Sequence, residues 1–260
     1  MNTASLLKLV TGLLSGLALT GLLALPVLAQ EINEASTATL IKSKIEQVRP
    51  DLTVDTVKPS PAPGLYEVKL SAGPVLYATA TGDFFVLGDL YAVTLNELVN
   101  VSEKARDAER RELMASIATD DMIVFAAEGE RRSSITVFTD VDCFYCQKLH
   151  QEVPALNKAG VEVRYLAYPR AGVGSESYRK IASAWCADNK QDAITRLKAR
   201  EEIPDNVCPG NPVADQFMLG QKAGVRGTPA LVLESGEMVP GYVPADELVK
   251  RLGIDQGGAD

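Results

Sequence analysis

Apolar positions along this chain change their spacing several times, and each change marks an element. Residues 36–49, "STATLIKSKIEQVR", bring Leu40, Ile41, Ile45 and Val48 to one face at helical spacing, and Pro50 stops the run. Residues 52–93 then shorten to β-rich runs, "LYEVKL", "PVLYATA", "FFVLGD" and "LYAVT", separated by "KPSPAPG", "SAG" and "TGD". That alternation of strand formers and turn residues predicts an antiparallel meander. One helix and a small sheet give a first domain, residues 30–93, with little core of its own, so pairing with a second copy is expected.

A long polar helix is expected next, over residues 94–117. Thr94 with Glu97 three positions on reads as a capping box. Between Glu103 and Glu112, eight of ten residues are charged. A helix polar all round in its middle predicts a linker that bridges domains through solvent. From residue 118 to 260 the order is strand, strand, helix, strand, helices, strand, hairpin, helix. "MIVFAAE" and "SSITVFTD" are the first two strands, a helix runs from about 143 to 158, and "VEVRYLAY" is a buried strand. Residues 175–200 read as helical, and "NPVADQFMLGQKAG" as a helix with Asn211 as its N-cap and Pro212 at its first position. "PALVLE", "EMVPG" and "PADELVKRLG" close the domain as strand, returning strand and helix. With Cys143 and Cys146 as a CxxC at the start of the helix after the second strand, this order is thioredoxin-like, so the expected fold is an α+β N-terminal domain, a linker helix, and an α/β thioredoxin-like C-terminal domain with a helical insertion at about 171–223.

The first 29 residues stand outside this pattern. One lysine precedes the apolar run "LVTGLLSGLALTGLLAL", and Val27 and Ala29 are small residues placed for a cut after Ala29. That is the layout of a cleavable secretory signal peptide, with an uncleaved membrane anchor as the rival. Removal leaves 231 residues and moves the net charge from −8 to −9. An acidic chain whose basic residues are scattered in mixed-charge stretches such as "EGERR" and "AERRE" is excluded from nucleic-acid binding.

Export decides how the four cysteines are read, because disulfides persist outside the cytoplasm. Cys143 and Cys146 lie three positions apart in "FTDVDCFYCQKLH", at a predicted strand-to-helix junction. At a helix N-terminus the unpaired N–H groups and the dipole favour a thiolate, the nucleophilic form. Cys143 is therefore expected as the exposed attacking thiol and Cys146 as the buried resolving one. Asp140 and Asp142 oppose this as neighbouring carboxylates, and Asp142 is also a candidate N-cap. The alternative is half of a zinc site, but Cys186 and Cys208 form no second knuckle, and His150 reads as a helix surface residue. No metal and no organic cofactor is required. Cys186 and Cys208 fall on separate elements of the insertion, where a structural disulfide is the plain reading. In "GVRGTPALVL" a cis Thr228–Pro229 bond at the start of a strand would face the cysteine pair.

In combination, "GDLYAVT", "FTDVDCFYCQKLH", the Cys186 and Cys208 pair and "GVRGTPALVL" resemble the bacterial periplasmic protein-disulfide isomerases of the DsbC/DsbG group. The resemblance implies a cystatin-like dimerisation domain, a linker helix and a thioredoxin-like domain, assembled as a periplasmic homodimer. It implies Cys143 as nucleophile, Cys146 as resolving thiol, Thr228 and cis Pro229 with Phe144 and Tyr145 as the substrate-binding surface, and Cys186–Cys208 as a structural disulfide. It also implies misfolded disulfide-containing exported proteins as substrates and a membrane thiol reductase, like DsbD, as redox partner. The Phe144–Tyr145 dipeptide departs from the family's Gly-Tyr and Pro-Tyr, and that dipeptide tunes the balance between isomerase and oxidase. The rival function is a dimeric holdase that shields apolar surface of unfolded clients.

Overall fold

The computed structural model describes residues 25–71, 73 and 75–254, with side chains from residue 33. Most of the expected signal peptide, residues 1–24, lies outside the described residues. The chain forms two units, divided between Leu90 and Tyr91.

In the first unit, helix α1 (Leu25–Val48) precedes strands β1 (Val54–Pro59), β2 (Leu65–Leu70), β3 (Leu76–Thr79) and β4 (Phe85–Leu87). All neighbours are antiparallel, in the order β1-β2-β3-β4. Pro26 does not interrupt α1, because it lies in the first turn, where a missing N–H costs no helical bond. The expected apolar face is narrower than the sequence suggested. Ile41 is fully buried and Ile45 partly, one turn apart, whereas Leu40 and Val48 are exposed. The remaining core is Val54, Val68, Leu70, Leu76 and Ala78, a small set for an independent domain. Gly82, at φ +67°, lets the β3–β4 turn close on the helix, since a Cβ there would stand 3.3 Å from the Ile41 backbone.

Two sequence expectations fail at the start of the second unit. "LYAVT" does not join the meander. It supplies β5 (Tyr91–Val93), which pairs with β6 (Leu98–Asn100) in a separate hairpin. Thr94 and Glu97 do not cap a helix, because they close that hairpin's turn. The Thr94 N–H and hydroxyl donate to the Glu97 carbonyl at 3.0 and 2.8 Å, and the Glu97 N–H donates to Thr94 Oγ1 at 3.1 Å. The helix, α2 (Val101–Ala115), starts later, with Asn100 Oδ1 accepting from the Glu103 N–H at 2.9 Å. It is also less solvated than its composition implies. Arg110 is buried, pairs with Glu103 and Asp107, and donates to the Gly236 carbonyl at 2.8 Å. Leu113 and Met114 pack on the core.

The rest of the unit is built on one sheet: β7 (Ile123–Phe125), β8 (Ser133–Thr139), β9 (Val161–Ala167), β10 (Ala230–Leu233) and β11 (Met238–Pro240), in the order β11-β10-β8-β9-β7. Only β8 and β9 are parallel, joined across helix α3 (Phe144–Lys158). Every residue of β8 is buried, as a central strand covered on both faces requires. Ile135 and Val137 of β8 cluster with Leu149, Val153 and Leu156 of α3, while Phe138 belongs to a second cluster with Leu166, Tyr168 and Val232. The expected single helical stretch at 175–200 is two helices, α4 (Glu176–Trp185) and α5 (Lys190–Lys198), the latter capped by Asn189 Oδ1. Helix α6 (Val213–Lys222) starts after Pro212, one residue later than expected, and α7 (Ala245–Arg251) closes the chain's fold.

A disulfide joins Cys186, at the end of α4, to Cys208, with S–S 2.06 Å. The two positions are 22 residues apart, so the cross-link is worth about 3 kcal/mol through loss of unfolded-state freedom. Replacing both by alanine is expected to lower the unfolding free energy by about that amount, read by denaturant titration. An unchanged midpoint would refute it.

Candidate active site

β8 delivers the chain to Asp140 at the sheet's C-terminal edge, and α3 begins four residues later. Asp140 was expected to oppose a thiolate, but its carboxylate is turned into the protein and held by donors. It accepts from the Asp142 N–H at 2.9 Å, the Arg170 N–H at 2.8 Å and the Ser177 hydroxyl at 2.7 Å, with the Arg170 guanidinium at 3.3 Å. Burial alone would push it up, yet these donors hold it below the usual carboxylate range. Asp142 is not the N-cap. It is exposed and faces Lys180 at 3.2 Å. Cys143 itself occupies the cap position of α3.

Both thiols are free and almost covered, Cys143 at 3% exposure and Cys146 at 1%. Cys143 is therefore not the openly exposed thiol expected from sequence. As a thiol, Cys143 Sγ donates to the Thr228 carbonyl at 3.2 Å, which brings the strand that follows α6 against the pair. The Thr228–Pro229 peptide is cis. The Thr228 hydroxyl is buried and has no hydrogen-bond partner. Phe144 and Tyr145, between the cysteines, are 62% and 56% exposed and meet edge to face at 5.4 Å.

The electrostatics separate the two sulfurs. Hydrogen bonding from the Cys146 thiol lowers Cys143 to about 5. Burial opposes this, while the Cys146 N–H and the Arg170 charge assist it. Cys146 moves the other way, pushed up chiefly by burial and then by its bond to Cys143. A pair of this kind holds one ionised sulfur and one protonated sulfur at neutral pH.

His150 is not a surface residue. It is half-buried and hydrogen-bonded through both ring nitrogens, Nδ1 to the Tyr165 hydroxyl and Nε2 to the Thr195 hydroxyl, each at 3.0 Å. Thr195 already donates to the Gln191 carbonyl, so Nε2 carries the proton and Nδ1 accepts from Tyr165. Burial, with Lys198 nearby, lowers His150 to about 4, which keeps it neutral at pH 7. Among the described residues no cluster of three or more His, Cys, Asp or Glu is arranged to hold a metal ion. Sequence reasoning missed Lys198 entirely. Within "RLKAR" it reads as a surface charge, yet it is buried, with Nζ bonded to Thr139 and Asp140 just before the cysteine loop.

A thioredoxin-like sheet with a CxxC at the start of its first crossover helix, faced by a cis proline, defines a thiol–disulfide exchange protein. Comparison with known proteins narrows the class. A family model described as the thioredoxin-like domain matches residues 118–253, and one for the disulfide bond isomerase protein N-terminal domain matches residues 28–103. The thiol:disulfide interchange protein DsbC of Escherichia coli K12 is 37% identical over 196 residues, 75% of this chain and 80% of that protein. The DsbC of Salmonella typhimurium is 38% identical over 192 residues, 74% and 78%. That of Haemophilus influenzae is 32% identical over 212 residues, 82% and 88%. The chain belongs to the DsbC family, and it is a protein-disulfide isomerase/reductase that acts on disulfide-containing proteins.

The thiolate assignment has a direct consequence. The alkylation rate of Cys143 in the reduced protein is expected to titrate with a midpoint near 5, checked with iodoacetamide or by thiolate absorbance. The depressed thiol also links to stability. Its contribution is full above the unfolded thiol value of 9.0 and is lost as pH falls through about 5.

Proposed function

We propose that Cys143 is the nucleophile and Cys146 the resolving thiol of this isomerase. The observation that carries the assignment is position: Cys143 stands at the cap of α3 with Sγ 3.2 Å from the Thr228 carbonyl beside the cis proline, while Cys146 lies within the helix at 1% exposure, and the electrostatics displace the two sulfurs in the matching directions. The Cys143 thiolate attacks one sulfur of a wrong disulfide, and the other sulfur leaves as a substrate thiolate. The mixed disulfide then has two fates. The freed substrate thiolate attacks a second bond and eventually displaces Cys143, which reshuffles the pairing with no net electron transfer. Alternatively Cys146 attacks Cys143, releases the substrate reduced, and leaves the Cys143–Cys146 disulfide. Two electrons from an external dithiol must then restore the enzyme, and a membrane thiol reductase like DsbD is the partner that fits an exported chain.

Phe144, Tyr145, Thr228 and cis Pro229 form the substrate-binding surface in this reading. The exposed aromatic pair offers apolar contact beside the reacting sulfur, and Thr228 approaches it from the facing strand. The Cys186–Cys208 bridge is structural. Residues 1–29 serve as a cleavable signal peptide that sends the chain to the periplasm, with the DsbC relatives. The organisation that fits is a dimerisation domain over 30–90, three residues shorter than the sequence suggested, a linker segment over 91–117 made of the β5–β6 hairpin and α2, and a catalytic domain over 118–260.

The chain works as a homodimer. Phe84, Phe85, Val86 and Leu87 are all exposed on and beside β4, which ends its sheet. An uncovered apolar edge strand is a template for a second strand, and a second copy of β4 satisfies it. A dimeric assembly also favours a holdase activity alongside the chemistry.

Cys143→Ala is expected to abolish reshuffling of a scrambled-disulfide substrate, a loss of at least about a hundredfold in regained substrate activity. Retained reshuffling would overturn the assignment. Val86→Asp is expected to give a monomer in sedimentation at micromolar concentration, and to lose aggregation suppression that Cys143→Ala keeps.

A further inference from the structure

Helix α5 ends by sending the Lys198 side chain into the protein rather than into water. The residue is buried, and Nζ donates to the Thr139 hydroxyl at 2.5 Å and to the Asp140 carbonyl at 2.9 Å. It also sits 5.8 Å from the centroid of the Tyr165 ring. Thr139 and Asp140 are the last residues before the cysteine loop, so the ammonium is anchored directly behind it. Among the described residues no carboxylate forms an ion pair with Lys198, and the Asp140 carboxylate is directed to Arg170 and Ser177. A buried lysine without an ion-pair partner is costly and burial lowers it, so its charged form is favoured by any anion that forms near it. The groups that face it are few. From the β8 end come Thr139 and Asp140, from α3 Cys143, Cys146 and His150, from the loop between them Asp142, from β9 Tyr165, and Arg170 just beyond. His150 is neutral, and burial keeps Tyr165 protonated.

We propose that Lys198 is a positioning residue for the second half-reaction: its buried positive charge promotes ionisation of Cys146 and so sets how fast the mixed disulfide is closed. The inference rests on the assignment of Cys146 as resolving thiol. Burial lowers Lys198, and the attraction that raises it most comes from Cys146, ahead of Asp140, Cys143 and Asp142. Reciprocally, Lys198 is the largest influence that brings Cys146 down. In the step itself, Cys146 loses its proton and its sulfur attacks Cys143. The Cys143–substrate S–S bond breaks, the Cys143–Cys146 bond forms, and the substrate sulfur leaves and takes up a proton. Lys198 stays bound to Thr139 and Asp140 and touches neither reacting sulfur. It acts through the charge that Cys146 must carry in that step.

The test uses the full reduced chain and an aromatic disulfide whose released thiolate is coloured. The first equivalent released reports attack by Cys143, and the second reports closure by Cys146. In Lys198→Met, which keeps the stem, and Lys198→Gln, which keeps a donor for Thr139, the second phase at pH 7 is expected to slow about tenfold. Its pH midpoint is expected to rise by about one unit, while the first phase changes less than about twofold. A second phase with unchanged rate and pH profile in both variants would overturn the inference. So would equal slowing of both phases, which a merely structural role produces. Failure of the underlying assignment looks different, because Cys143→Ser would then still release the first equivalent and Cys146→Ser would not.

Discussion

The structure around the cysteines depends on one constraint: an ionised sulfur has to be held where the chain turns from β8 into α3. Three things converge to hold it. The helix presents its free N–H groups at its first turn, the Cys146 thiol donates from within that turn, and the Asp140 carboxylate is drawn away. The last is the least obvious. A carboxylate three residues upstream would raise a thiol if it faced it. Here two backbone N–H groups, a serine hydroxyl and a guanidinium hold it inside the protein, so its charge braces the loop. The insertion helices supply part of this brace, since Ser177 lies on α4 and Lys198 on α5. They bear on the site as well as carrying a disulfide.

What could be read from the sequence was whatever depends on residue type at fixed spacing. Two cysteines three apart after a buried strand, and Gly-Thr-Pro before another, identify the fold and the reacting pair because few other arrangements use them. Tertiary choices between locally equivalent patterns were not legible. Thr94 and Glu97 make the same Oγ1 contact to an N–H three residues on that a helix cap makes, but in a hairpin turn. The local bond is identical, and only the pairing of β5 with β6 decides between them. Buried charge was illegible for a related reason. Arg110 and Lys198 sit in runs that look solvated throughout, and each is buried where it donates to a carbonyl elsewhere in the fold, Gly236 for the first and Asp140 for the second. His150 was misjudged in the same way, its partners lying on β9 and α5.

The first unit raises a different physical question. Among the described residues its core cluster holds six buried residues, while four consecutive apolar residues at its sheet edge are left to solvent. Area that is not buried contributes nothing to stability, at roughly 25 cal/mol per Å² of apolar surface. A small domain that exposes its best strand formers gains from association, and in the proposed dimer the strand that leaves the monomer marginal is the one that completes the partner's sheet.

In the proposed cycle the two sulfurs also impose a timing problem that the buried lysine addresses. An isomerase must keep its mixed disulfide long enough for the substrate to find a better pairing, yet must escape when none is found. A resolving thiol held fully protonated by burial would never release a trapped substrate. One ionised as readily as Cys143 would release every substrate before rearrangement and convert the enzyme to a plain reductase. Cys146 is pushed up by its burial and by its bond to Cys143, and drawn part of the way back by Lys198. When Cys143 is tied up in the mixed disulfide it no longer carries the negative charge that opposes a second thiolate. The lysine's attraction is then unopposed, so the field favours Cys146 ionisation at the stage of the cycle where escape is needed and resists it in the resting dithiol.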